Sequence, residues 1–290
     1  MNALLIMLTI ALFIGQTLAL KLVKAETLTQ RLWVNAAFCG AAVLMLLAGN
    51  AFYPFAREIS KSTVFFGILF GILFALTMLF YNLAISTGPL SYTTFYFSAS
   101  MLIPAAAGLL LFREATHPTL ISATLLFLGA FFFLNVDEKK SKHTNKLWVL
   151  WCWLTFLCNG FLAVVQKTHQ LIVKGETAGL ILTGFFTASV CYLCAAQITV
   201  AHEAGVLPPC SVLRKNRISI FLLAAASLSG NLMITKLSGL LPGSYLFPLV
   251  QGGMIVGVTL CSVVFWREHP SMRGKIGILL GICAIILINL

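Results

Sequence analysis

The sequence predicts an all-helical integral membrane protein with ten transmembrane helices, arranged as two inverted five-helix repeats. Three observations carry this reading. Only 9% of the 290 residues are charged and 60% are hydrophobic, whereas a soluble domain carries about 25% charged residues. Apolar stretches recur along the chain, each near the ~20 residues that cross a bilayer as a helix. The two halves also carry matching charged and glycine signatures at the same places.

The stretches cover 2–20, 32–52, 63–86, 90–112, 119–136, 147–166, 177–199, 218–238, 242–266 and 272–290. A spanning helix bonds its own backbone, so apolar length matters more than periodicity. No alternating pattern of the β-barrel kind is present. The first stretch follows Met1 and Asn2 without a basic leader or a small-x-small cleavage site, and is read as a retained helix. Connections are short: Thr87-Gly88-Pro89 turns the third stretch into the fourth, and Leu240 to Gly243 turns the eighth into the ninth. The gaps 137–146 and 200–217 are too short for a domain with its own core. The expected organisation is a first repeat over 1–136, a basic linker over 137–146 and a second repeat over 147–290.

The net charge of +11 resides in short loops, where it sets orientation rather than a surface for nucleic acid. With the N-terminus outside, cytoplasmic loops hold Lys21, Lys24, Arg31, Lys139, Lys140, Lys142, Lys146, Arg214, Lys215, Arg217, Arg267, Arg273 and Lys275. The other side holds Arg57, Lys61, Arg113, Lys167, Lys174 and Lys236. This asymmetry predicts both termini outside. No Asn-x-Ser/Thr site occurs, which points to a bacterial cytoplasmic (inner) membrane. Of eight cysteines only Cys210 lies in a loop, so no disulfide framework is expected, and the Cys191/Cys194 spacing is read as packing.

The repeat shows in particular residues. Phe112-Arg113-Glu114 is followed by His117-Pro118, and Trp266-Arg267-Glu268 by His269-Pro270. A last apolar stretch follows each, marked by Leu128-Gly129-Ala130 and Leu280-Gly281-Ile282. The first and sixth stretches end near a lysine, Lys21 and Lys167, each preceded by a glutamine, Gln16 and Gln166, and Asn82 matches Asn231. Five helices per half would invert the second half relative to the first, a recurrent plan in secondary transporters.

With ten helices, five-plus-five organisation and a Glu closing stretches four and nine, the chain resembles the drug/metabolite transporter superfamily, specifically its EamA-like members. The resemblance covers nearly the whole chain. It implies a bundle with a central cavity and the export or uptake of metabolites, and it carries no catalytic motif.

Candidate substrate-binding residues are the polar groups within the apolar stretches, which are costly in lipid unless paired or wet. Thr93, Tyr96 and Ser100 share a face of the fourth stretch, continued by Pro104. Tyr245, Pro248 and Gln251 share a face of the ninth. Pro104 and Pro248 leave the carbonyls of Ser100 and Ser244 without their usual donors and permit a bend. Asn159, Asn231 and Lys236 complete the set; Lys167 is a lesser candidate for attracting an anion. Each of these groups has an ordinary reading as well, as helix–helix glue or, for a terminal lysine, as an interface anchor. Glu114 and Glu268 are assigned to gates or helix ends.

None of the eight acids lies at the centre of a stretch, and the five histidines are at ends or loops. That disfavours proton-coupled export of organic cations, an intramembrane metal cluster and an enzyme. No cofactor is expected. The pairs Gly67/Gly71, Gly253/Gly257 and Gly277/Gly281 allow close helix approach, within one chain or between two copies of a homodimer. The expected function is secondary transport of a small polar metabolite, an amino acid or related solute, by alternating access around a cavity between the repeats. The alternatives are a receptor or assembly protein without flux, and a transporter of lipid-like substrates.

Overall fold

The computed structural model describes residues 2–52, 59–87, 90–114, 118–135, 146–200, 209–266 and 272–288. Among these every regular element is a helix: α1 (Asn2–Lys21), α2 (Leu28–Phe52), α3 (Lys61–Thr87), α4 (Leu90–Ala99), α5 (Leu102–Leu110), α6 (Pro118–Asn135), α7 (Lys146–Ile172), α8 (Thr177–Val200), α9 (Pro209–Lys215), α10 (Arg217–Leu240), α11 (Gly243–Trp266) and α12 (Met272–Ile288).

This overturns the expected ten transmembrane helices in two inverted five-helix repeats. Twelve helices are present among the described residues, and seven of them (α1, α2, α3, α7, α8, α10 and α11) are long and apolar enough to cross a membrane. Two local causes raise the element count. The stretch expected at 90–112 is two helices, because the chain turns at Ser100–Met101. The connection expected at 200–217 contains the short helix α9. The span count falls because the apolar segments Tyr96–Leu110 and Pro118–Phe133 are short and α12 has only 17 residues. The seven long apolar helices fit an integral membrane protein, and many large side chains on them are exposed, such as Phe65, Phe186 and Val264.

The chain forms two compact units, each drawing on both halves of the sequence. The first comprises Met1–Ile14, Leu76–Val164 and Leu237–Leu290; the second comprises Gly15–Ala75 and Val165–Lys236. In the first unit α6 lies along α12, and α11 packs on α5, α6 and α12. Gly253 and Gly257 of α11 admit Ile10 and Ile14 of α1, and Gly281 of α12 admits Val256.

In the second unit α2 lies along α8 and touches α9. Phe38, Phe70, Phe74 and Phe185 interlock with ring centroids 5.5–6.4 Å apart. Ser189 Oγ donates to the Ala36 carbonyl at 2.9 Å. Gly67 and Gly71 place the α3 backbone directly against Thr183, Gly184 and Thr187 of α8.

A Cβ at Gly71 would overlap the Gly184 carbonyl oxygen, which cannot rotate away. Gly71→Ala is therefore expected to lower stability by about 1–3 kcal/mol, read as a lower Tm in detergent. Gly49→Ala, with nothing within 4 Å of its Cβ, should leave Tm unchanged or slightly raised.

Candidate functional site

The first unit breaks an apolar helical segment between α4 and α5. Pro104 has no N–H to offer the Ser100 carbonyl, so the Ile103 N–H takes it at 3.0 Å in a tighter turn. The Met101 N–H likewise bonds the Ser98 carbonyl at 3.3 Å. The Phe97 carbonyl thereby loses its usual partner and accepts side chains instead: Ser100 Oγ at 2.6 Å and Asn159 Nδ2 at 3.4 Å. Asn159 Nδ2 also donates to Ser100 Oγ at 2.6 Å. The same pair of helices meets lower down, where Trp148 Nε1 donates to Thr93 Oγ1 at 3.0 Å and the Cys152 thiol lies 3.7 Å from it. Trp148, Cys152 and Asn159 share a face of α7 by their i, i+4, i+11 spacing.

The structure therefore brings Thr93, Ser100 and Asn159 together. Tyr96 is half-buried, its ring edge-on to Trp153 with centroids 5.5 Å apart, and packs against the Ala84–Trp148–Cys152 cluster. Ser98 Oγ is buried with no partner among the described residues. Tyr245 and Gln251 are half-buried on α11 of the same unit. Pro248 sits inside α11 without interrupting it, so the two prolines act differently.

Glu114 holds a helix end. Its Oε1 accepts the Gly243 N–H at 2.7 Å; its Oε2 accepts the Ser244 N–H at 3.0 Å and Ser244 Oγ at 2.8 Å. These are orphan donors at the start of α11, and the carboxylate charge suits the positive end of the helix dipole. The chain reaches this position through Arg113 at φ +51°, with the Glu114 N–H closing on the Gly108 carbonyl at 2.9 Å. Glu268, its counterpart in the sequence, lies outside the described residues.

Asn231 and Lys236 belong to the second unit. Asn231 is buried; its Nδ2 donates to the Ser227 carbonyl at 2.9 Å, and its Oδ1 accepts Gln166 Nε2 at 3.4 Å. Gln166 Nε2 also donates to Thr235 Oγ1 at 2.8 Å. Lys236 is exposed, whereas Lys167 is 6% exposed. The sequence ended the sixth stretch at 166, while α7 continues to Ile172 and carries Lys167 within it.

That extra length of α7 carries a polar cluster that sequence reasoning missed. Thr177 Oγ1 donates to Gln170 Oε1 at 3.1 Å, which turns the Gln170 amide nitrogen toward His169 Nδ1 at 2.9 Å. Nδ1 therefore accepts, and the ring proton sits on Nε2, which donates to Thr63 Oγ1 at 2.9 Å. Thr63 in turn hydrogen-bonds the Glu176 carboxylate. Glu176 Oε2 also accepts the Ser60 N–H at 2.8 Å and Ser60 Oγ at 2.9 Å, tying the start of α3 to the start of α8. Burial pushes the Glu176 carboxyl up, but the hydrogen bonds from Thr63 and Ser60 and the nearby His169 outweigh it and hold the group below the ordinary glutamate value. A signal was present in the sequence, since Gln166, His169 and Gln170 follow helical i, i+3, i+4 spacing on an extended α7. Among the described residues no group of His, Cys, Asp and Glu has the arrangement of a metal site.

No protein-family model and no curated protein matches the chain. Solved structures do: 28 chains match, and one, a crystal structure of a protein, is similar with a TM-score of 0.74 at 18% identity, covering 99% of this chain and 95% of its own. At that identity the likeness shows the fold alone.

Two outcomes test this geometry. Glu114→Ala is expected to cost about 1–2 kcal/mol, as loss of a helix cap does, measured as a lower Tm, with Glu114→Gln losing less. Glu176 is held low in the folded chain, so its stabilisation is full above its ordinary value of 4.5 and disappears as pH falls through the lowered value. A pH series of melting temperatures should show the wild type losing its advantage over Glu176→Gln in that acid range.

Proposed function

We propose that the chain is a secondary transporter of a small polar metabolite, an amino acid or related solute, working by alternating access, and that it is a member of the EamA-like drug/metabolite transporters. We place it in a bacterial cytoplasmic membrane. The observation that carries this reading is the interruption at Ser100–Met101, where a helix in an apolar bundle gives up regular bonding beside buried Ser100 and half-buried Asn159.

Irregular backbone at membrane depth is tolerated where it is buried in protein or lines a wet cavity. Transporters use such discontinuous helices to present backbone and short polar groups to solutes near the midplane. Ser98, Ser100, Asn159 and the Phe97 carbonyl supply donors and acceptors without formal charge. This suits a polar solute bound by hydrogen bonds and released again. Thr93 and Tyr96 extend the same helix face, and Tyr245 and Gln251 lie on α11 of the same unit.

A thermal-stability screen of the purified protein against amino acids, nucleosides, sugars and phosphorylated metabolites tests this reading. A solute that binds only the folded chain adds about 2.7 kcal/mol at a hundredfold excess over its Kd. The shift should fall in Asn159→Ala and Ser100→Ala, by about tenfold in affinity for a lost hydrogen bond, and persist in the exposed control Phe186→Ala. A solute that shifts all variants equally would place its site elsewhere. Absence of any shift across all classes, together with no flux in vesicles, would sink the transport reading.

A further inference from the structure

Two distant turns of the second unit are joined by one buried amide. Asn216 Oδ1 accepts the Lys24 backbone N–H at 2.7 Å, and Asn216 Nδ2 donates to the Lys24 carbonyl at 3.0 Å. Nδ2 also donates to the Val212 carbonyl at 2.9 Å, which anchors the amide on the last turn of α9. Asn216 is 2% exposed. This reciprocal pairing fixes the turn after α1 against the turn between α9 and α10, 192 positions along the chain.

The staple gathers positive charge. Lys24 is the residue it grips, Lys215 and Arg217 flank Asn216, and Arg214 precedes them; all four side chains are exposed. Glu26 is the one acid on these two segments. The positive-inside tendency accounts for cations in each loop separately. It does not account for a buried, three-way bonded amide that locks two such loops together. Like charges held close repel one another, so the arrangement favours a multivalent anion.

The surroundings say which kind of anion. Leu20 and Leu22 beside the first turn and Ile218 and Phe221 beside the second are large, apolar and 41–67% exposed. A free anion has no use for such a collar, whereas the acyl chains of a phospholipid do. We propose that this end of the second unit binds an anionic phospholipid. Lys24, Arg214, Lys215 and Arg217 contact the headgroup phosphate, the apolar collar takes the chains, and Asn216 is the positioning residue. The site is independent of the transport reading.

The test measures lipid binding to the full chain in detergent by native mass spectrometry and by thermal shift. The probes are phosphatidylglycerol, phosphatidylcholine and soluble glycerol phosphate. Phosphatidylglycerol should bind the wild type at least about tenfold more tightly than phosphatidylcholine, with each cation worth about fivefold. K24Q/R214Q/K215Q/R217Q should erase that preference. K146Q/K174Q/R273Q/K275Q removes equal charge elsewhere and should keep it. Asn216→Ala retains every charge and should reduce the preference severalfold. The proposal is overturned if the control variant loses the preference equally, if Asn216→Ala leaves it intact, or if glycerol phosphate competes at the same concentration as the lipid.

Discussion

Every backbone N–H and C=O inside the membrane must find its partner within the chain, and the rest of this structure follows from that constraint. It makes helices the regular elements, and it also disposes of several hydroxyl groups among the described residues. Thr9, Thr124, Thr155, Thr187 and Thr259 each donate to the carbonyl four residues earlier, at 2.7–2.9 Å. A hydroxyl so engaged is satisfied locally. Polar content in an apolar stretch is therefore weak ground for a binding site. What singles out Ser100 and Asn159 is that they serve a carbonyl the backbone itself has released.

The same constraint explains the use of acids. With eight acidic residues in the chain, two of the described ones close helix starts. Glu114 covers the first N–H groups of α11, and Glu176 covers Ser60 at the start of α3. A carboxylate there meets unbonded donors and the favourable end of a helix dipole. Glutamates at these ends thus hold the connections between helices, and the polar groups left within the bundle are mostly uncharged.

Much of this was legible in the sequence. Composition fixes the membrane class, because no soluble core explains so few charges. Pro104 marked a local loss of regular bonding, although the Ile103 N–H takes the Ser100 carbonyl and the carbonyl released is that of Phe97. Glu114 at a helix end was read from its position after an apolar stretch. The misses have physical causes. Apolar run length does not distinguish one spanning helix from two shorter ones, so the break at Ser100–Met101 became a full span. Ending the sixth stretch at Gln166 reflected Lys167 and His169, charged or polar types that usually mark an interface, yet both are buried on α7. The Asn216 staple depends on a pairing across 192 positions, and no local pattern encodes it. Matched motifs in two halves likewise say little about compact units, since each unit takes helices from both halves.

The central claim is that the interruption between α4 and α5 borders a path for solute. The direct measurement is the reactivity of a cysteine placed at Ser98, in a chain whose eight native cysteines are replaced, toward a small membrane-impermeant thiol reagent. The protein would be in sealed vesicles, probed from each side with and without a transported solute. The account predicts that the site is labelled from water, is protected by the solute, and changes the side from which it is reached. Labelling no greater than at a lipid-facing position such as Phe186, from both sides and under every condition, would contradict it.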